Sequence, residues 1–266
     1  MDIAISADGS RIAYESVGTG SVVILIGGAF NDRAALAGLA HALAAGGHRA
    51  IAYDRRGRGD STDNAGRFDP AREIEDLTAL IEAVGGRASL FGHSSGGVLA
   101  IAATLHDLPV TTLLVSEPPY AVDGARPIPA SGVSARIEAL AANDDRDGAA
   151  TLFLQEQAAV PAQVVSEMRD SPAWAAMTAL AHSLPYDLAV CGPDLALPDD
   201  LHDITIPTLA VSGDQTQPWL TVAAKAVATA VPGARHISIP GEDHTILRRP
   251  ENLAPILTDF LRPNAH

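Results

Sequence analysis

The 266-residue sequence is poor in cysteine, in basic residues and in aromatics: one Cys, 18 Lys and Arg, and 4% Phe, Trp and Tyr. A lone cysteine, Cys191, excludes an intramolecular disulfide, so the fold needs no oxidising compartment. The 18 basic residues stand against 32 Asp and Glu, a net charge of −14. Such a surface repels a phosphate backbone or an anionic bilayer, which argues against nucleic-acid and membrane partners. No run of about 18 apolar residues is free of charge, so no membrane span is expected. The start, Met1-Asp2-Ile3-Ala4-Ile5-Ser6, lacks a basic segment followed by an apolar one, and a cytoplasmic location is expected. No His/Cys/Asp/Glu spacing points to a metal, and neither a P-loop nor Gly-x-Gly-x-x-Gly is present, so no cofactor is expected. What the sequence does hold is 47% hydrophobic residues. That is ample for one large domain, and α/β folds run undivided to about 250 residues.

The periodicity alternates between strand and helix. Ile3 and Ile5 precede an Asp8-Gly9 turn, and a second strand follows from Arg11. Val22-Val23-Ile24-Leu25-Ile26 is an unbroken, largely β-branched run, as a strand buried on both faces requires. From Asp32, Leu36, Leu39, Ala40 and Leu43 recur at helical spacing. A strand from His48 to Tyr53 leads into a polar turn and then a helix with Asp69 as N-cap and Pro70 in its first turn. Strands near 88–91 and 110–115 flank a helix over 95–105. Repeated β-α-β-α order predicts a mostly parallel sheet with helices on both faces. From about 131 to 188 the pattern is helical and Ala-rich, broken by Pro161, Pro172 and Pro185. Strand and helix alternation resumes at Pro207. The expected organisation is a core of residues 1–119 and 207–266, with an insertion at 120–206.

Chemistry concentrates at Gly92-His93-Ser94-Ser95-Gly96, where a strand runs into Gly-x-Ser-x-Gly and a helix follows. Flanking glycines permit a strained turn that exposes Ser94 at the carboxyl edge of the sheet, beside a helix N-terminus. A nucleophilic serine needs a base. Of nine histidines, His244 follows the last strand in a Gly-containing loop, which parallel topology returns to the same edge. His93 adjoins Ser94, and the elbow should turn it away.

The elbow at Ser94, the glycine turn Gly27-Gly28-Ala29-Phe30, the segment Asp54-x-x-Gly57-x-Gly59-x-Ser61 and the His244 loop together resemble an α/β-hydrolase-fold protein carrying a helical cap. The likeness covers residues 2 to about 119 and 207–261. It implies hydrolysis through an acyl-enzyme, with oxyanion-hole amides from Ser95 and Ala29, Gly28 being the alternative to Ala29. Many members of the family place an Asp three residues after the glycine of the penultimate strand. Here, in Ser212-Gly213-Asp214-Gln215-Thr216, Thr216 occupies that position, a departure that puts the acid in question. A second family arrangement places the acid after the strand that follows the nucleophile helix, where this chain has Glu117, and strand-end geometry favours Glu117, with Asp214 as the alternative. The family's counterpart of Arg55-Arg56-Gly57-Arg58 is a structural turn, which is preferred over anion recognition.

The insertion offers Phe153, Met168, Trp174, Met177, Leu180 and Tyr186 among small residues. Most such groups pack cap on core. The remainder would line an apolar cleft suited to a neutral ester or lactone. Cap-bearing relatives with Glu at the Glu117 position include mycotoxin lactone hydrolases, in which a cap tryptophan contacts substrate, and that resemblance makes Trp174 a substrate-binding candidate; Tyr186 of the insertion and Phe30 of the glycine turn are the others. The leading expectation is a serine hydrolase of a small carboxylic ester or lactone. The alternatives are a C–C bond hydrolase or other non-esterase enzyme of the fold, and a non-catalytic small-ligand receptor. Oligomeric state is left open.

Overall fold

A computed structural model describes residues 1–66 and 68–262; the last four residues of the expected core, 263–266, lie outside the described residues. Eight strands form one sheet in the order β1-β2-β4-β3-β5-β6-β7-β8. These are β1 (Asp2–Ile5), β2 (Arg11–Val17), β3 (Ser21–Ile26), β4 (His48–Tyr53), β5 (Ala88–His93), β6 (Val110–Ser116), β7 (Thr208–Gly213) and β8 (Arg235–Ile239). β1 pairs antiparallel with β2, and β2 antiparallel with β4. Every later neighbour is parallel, so the carboxyl ends of β3 and β5 to β8 share one edge.

The helices cover both faces. Helix α1 (Arg33–Ala45) and α10 (Pro250–Phe260) lie on one side, where Leu36, Leu39, Leu43, Leu253 and Leu257 bury against Val23, Leu25 and Phe91. On the other side α2 (Pro70–Val84), α3 (Ser95–Leu105) and α9 (Pro218–Ala230) pack Leu77, Leu80, Leu99, Ile101 and Val227 against Ile24, Ile51 and Leu113. The caps fit the sequence. Asp32 accepts from the Ala35 amide and Asp69 from the Ala71 amide, each satisfying a donor that its helix start leaves free.

Between β6 and β7 the chain leaves the sheet and forms α4 (Val133–Ala142), α5 (Arg146–Leu152), α6 (Ala162–Arg169), α7 (Ala173–Ala179) and α8 (Leu184–Cys191). A π-helical turn, Phe153–Gln157, continues α5. These helices have an apolar cluster of their own around Ile137, Ala149, Val165, Trp174 and Leu184, and Ala29 and Phe30 from the loop after β3 pack against it. The insertion therefore rests directly on the loop that leaves β3 at the sheet's carboxyl edge.

Candidate active site

Ser94 sits between β5 and α3 with φ 56° and ψ −127°. A non-glycine residue held there costs about 1–3 kcal/mol and persists only where its surroundings over-determine it. They do. The Ser94 amide donates to the Ser116 carbonyl at 2.8 Å, and its carbonyl accepts from Gly97 at 2.8 Å. A methyl on Gly92 would overlap the Gly96 carbonyl, and one on Gly96 would overlap that of Ile26. The glycines flanking Ser94 are thus demanded by backbone packing.

Glu117 follows β6 with φ 49°, and this left-handed residue turns the carboxylate across the end of β7. Its Oε1 accepts from the Gly213 amide at 2.8 Å, and its Oε2 accepts from the Thr216 hydroxyl at 3.1 Å. Oε2 also meets His244 Nδ1 at 2.5 Å, and His244 Nε2 lies 3.2 Å from Ser94 Oγ. A carboxylate can only accept, so Nδ1 carries the ring proton and Nε2 is left to accept from the serine hydroxyl. The Glu117 side chain is 1% exposed and that of His244 41%, which puts the imidazole where water can reach it.

Asp214 is placed elsewhere. It is exposed, and its Oδ1 accepts from the Gly241 amide at 2.8 Å and from the Gln215 side chain at 3.0 Å. It fastens the loop that carries His244 but does not reach the ring. Thr216, in the position where an acid was expected by resemblance, donates to the Glu117 carboxylate at the end of the neighbouring strand.

The loop after β3 turns at residues 28–31, closed by the Asn31 amide donating to the Gly28 carbonyl at 3.2 Å, with Phe30 at φ 60°. Gly28 abuts Ser94: a methyl there would stand 2.8 Å from Ser94 Cβ and 2.9 Å from the His93 carbonyl. The Gly28 amide donates to Asn31 Oδ1 at 3.1 Å and is spoken for, which removes the alternative donor named from sequence. Among the described residues no acceptor takes the amides of Ala29 or Ser95.

His93 is turned from Ser94, with Nδ1 at 3.2 Å from Ser116 Oγ, yet its ring lies 4.7 Å from that of His244. Burial, reinforced by His244, holds its pKa well below the ordinary histidine value. It stays neutral and puts no cation beside the His244 imidazole.

The substrate candidates separate. Phe30 lies beside Ala29 and meets Phe153 edge to face at 5.5 Å. Trp174 points elsewhere: its indole donates to Asp147 at 2.8 Å, and with Arg146, Arg169 and Thr178 it lines an open cavity of about 560 Å³ that none of Ser94, Glu117 and His244 borders. Tyr186 is committed to the turn after β4, donating to Asp63 at 2.5 Å and packing on Gly57 and Phe68. Trp174 was expected at substrate by resemblance and Tyr186 as a large group of the insertion; their polar tips find carboxylates instead.

The basic turn is internal. Arg55, Arg56 and Arg58 are all buried. Arg55 forks onto Glu73 at 2.6 and 2.7 Å, and Arg56 onto Asp76 at 2.6 and 3.0 Å. Asp187 of α8 holds Arg55 at 2.7 Å and Arg58 at 2.8 Å. Burial raises the proton affinity of Asp187, but the two guanidiniums outweigh it and keep its pKa below the usual carboxylate range. Sequence reasoning missed Asp187 and Asn31, which carry no motif, and met Thr216 only as a departure from the family's acid position. Among the described residues no group of three or more His, Cys, Asp or Glu could hold a metal, and no helix is long and apolar enough to cross a membrane.

This fold and geometry place the chain in a known class. The model of the alpha/beta hydrolase family matches residues 23–256, and the chain belongs to that family. It is similar to an alpha/beta hydrolase from Sphaerobacter thermophilus DSM 20745, with 42% identity, 98% of this chain and 100% of that one covered, and a TM-score of 0.92. Est816, described as an N-acyl homoserine lactone degrading enzyme, is 26% identical over 97% of this chain and 100% of its own, with a TM-score of 0.72. A thermophilic esterase from Thermogutta terrifontis shares the fold at 22% identity, covering 98% of this chain and 97% of its own, with a TM-score of 0.72. Comparison with curated proteins finds no significant match.

Proposed function

We propose that the protein is a serine hydrolase of small carboxylic esters or lactones, acting through an acyl-enzyme. The observation that carries the reading is the unbroken relay from Ser94 Oγ through His244 to the buried Glu117 carboxylate. In this reading Ser94 Oγ bonds to the substrate carbonyl carbon while its proton passes to His244 Nε2. The carbonyl oxygen becomes an oxyanion and accepts from the amides of Ala29 and Ser95. Glu117 keeps the imidazole in the needed tautomer and stabilises the imidazolium.

Collapse breaks the bond to the leaving oxygen, which takes the proton from Nε2. With an ester the alcohol departs; with a lactone the ring opens and the hydroxyl stays on the acyl chain. Water then attacks the acyl carbon, giving its proton to Nε2, and the second collapse returns the proton to Ser94 and frees the acid. The 41% exposure of His244 supports access for that water.

The inserted helices serve as a cap over this edge. Phe30 and Phe153 supply an apolar wall beside the oxyanion loop, which favours a neutral acyl group. The charge of −14 supports a small-molecule partner over nucleic acid or an anionic membrane. The test is steady-state hydrolysis of p-nitrophenyl acetate, p-nitrophenyl butyrate and a γ-lactone by the wild type and Ser94→Ala. Turnover lost in the variant is expected. Turnover that survives Ser94→Ala overturns the reading, and a wild type inert towards all three that binds them unchanged overturns it in favour of a receptor.

A further inference from the structure

The geometry points to Arg58 and Asp187 as positioning residues that aim the oxyanion-stabilising amide of Ala29 and tie it to the inserted helices. The inference rests on the serine-hydrolase reading above. Arg58 Nη1 donates to the Gly28 carbonyl at 2.7 Å and to the Asn31 carbonyl at 3.1 Å. The Gly28 carbonyl and the Ala29 N–H belong to one peptide unit, and no peptide bond among the described residues is cis. In a trans unit the two groups point in opposite directions. Fixing the carbonyl on Arg58 therefore aims the N–H away from the guanidinium. Gly28 itself lies against Ser94, so this peptide unit begins at the nucleophile. A buried cation on the carbonyl also polarises the unit, making its N–H a stronger donor.

Asp187 completes the arrangement from the insertion. Its Oδ2 holds Arg58 Nη2 at 2.8 Å. Its Oδ1 accepts from the Ser95 hydroxyl at 2.6 Å and from Arg55 Nη1 at 2.7 Å. Arg55 Nη1 in turn lies 3.2 Å from the Gly27 carbonyl. A single carboxylate on α8 thus fixes the side chain of Ser95, whose amide is one oxyanion donor, and the arginine that orients the other. The side chains of Arg55, Arg58 and Asp187 are at most 1% exposed, so water cannot replace a lost contact. A merely structural ion pair would not require one member to bond the carbonyl of the donor peptide.

Arg58→Lys tests this, because an ammonium cannot span the Gly28 carbonyl, the Asn31 carbonyl and Asp187 together. Losing one oxyanion donor outright costs about 10²–10³ in kcat, so misaiming it should cost about 10–100-fold. KM for p-nitrophenyl butyrate should stay within about twofold. Affinity for an alkyl trifluoromethyl ketone, whose hemiketal with Ser94 places an oxyanion in the same site, should fall in step with kcat/KM. A folded Arg58→Lys protein with unchanged kcat and unchanged ketone affinity overturns the proposal, as does a rise in KM alone. Should the lysine variant fail to fold, Ser95→Ala deletes one buried hydroxyl and no charge. It should lower kcat about three- to tenfold with KM unchanged, and an unchanged kcat overturns the proposal. Wild-type protein without Ser94-dependent turnover would instead overturn the hydrolase reading itself, a result distinct from active enzyme with an indifferent Arg58.

Discussion

Replacing Glu117 with glutamine changes almost no volume, yet the surroundings of the carboxylate dictate which way the amide must face. Oε1 receives the Gly213 N–H at 2.8 Å, a donor on a buried strand end that cannot turn away. The glutamine carbonyl must take that place, since setting NH₂ against N–H would leave a buried donor unsatisfied at about 1–3 kcal/mol. The NH₂ then occupies the Oε2 position, 2.5 Å from His244 Nδ1. Facing a donor, Nδ1 must become the acceptor, and the ring proton moves to Nε2. The imidazole can no longer accept from Ser94, whose Oγ lies 3.2 Å from Nε2. A wrong tautomer in such a relay costs about 10³–10⁴ in kcat, or about 4–5.5 kcal/mol of transition-state stabilisation. Steady-state hydrolysis of p-nitrophenyl butyrate measures this directly. Asp214→Asn keeps an oxygen for the Gly241 amide and should stay within about threefold of wild type. The reverse outcome, with Asp214→Asn crippled and Glu117→Gln within tenfold, refutes the assignment of the acid.

Three further outcomes follow from the same geometry. Gly28→Ala places a methyl 2.8 Å from Ser94 Cβ and 2.9 Å from the His93 carbonyl, both in the rigid elbow. The rate of Ser94 phosphonylation should fall about tenfold or more, and an unchanged rate would contradict the proposed close approach. Thr216→Val removes a donor from Glu117 Oε2 and should lower kcat about three- to tenfold without altering the acid's identity, which double mutation with Glu117→Gln checks through loss of the effect. His93 is held neutral by burial, so the unfolded chain binds a proton there below about pH 6.5 while the folded chain does not. Its stabilising contribution is full above that pH and is lost on acidification, by up to about 1.4 kcal/mol per pH unit. Burial pushes Asp76 up to about 6, and it acts in the same window with the opposite sign; its contribution cancels when wild type and His93→Gln are compared. Urea unfolding at pH 7.5 and 5.5 should therefore show wild type losing more stability than His93→Gln, and parallel losses would refute the buried neutral histidine.

Much of the site could be read from local rules. Gly92 and Gly96 flank Ser94 because backbone atoms crowd both positions, and that crowding is what a strand-elbow-helix pattern encodes. Parallel order brings the loop of His244 back to the edge that holds Ser94. The choice between Glu117 and Asp214 was not decidable from spacing, because it turns on backbone angles: Glu117 adopts φ 49° and swings across β7, while Asp214 is drawn to Gly241. The insertion was least legible. Trp174 and Tyr186 look like apolar lining in sequence, but carboxylates at Asp147 and Asp63 claim their polar tips. Glu73 and Asp76 of α2, for which sequence analysis offered no role, are buried because their partners come from a turn nearly 20 residues earlier. Burial of that kind is set by tertiary pairing, which neither propensity nor periodicity carries.

The central claim is that one hydroxyl, at Ser94, is activated by its surroundings. Incubation with a fluorophosphonate followed by intact and peptide mass spectrometry tests it most directly. A single adduct on the peptide containing Ser94, absent in Ser94→Ala and slowed by orders of magnitude in His244→Ala, is the predicted result. An adduct that persists in Ser94→Ala, or folded wild-type protein that takes up none, would contradict the account.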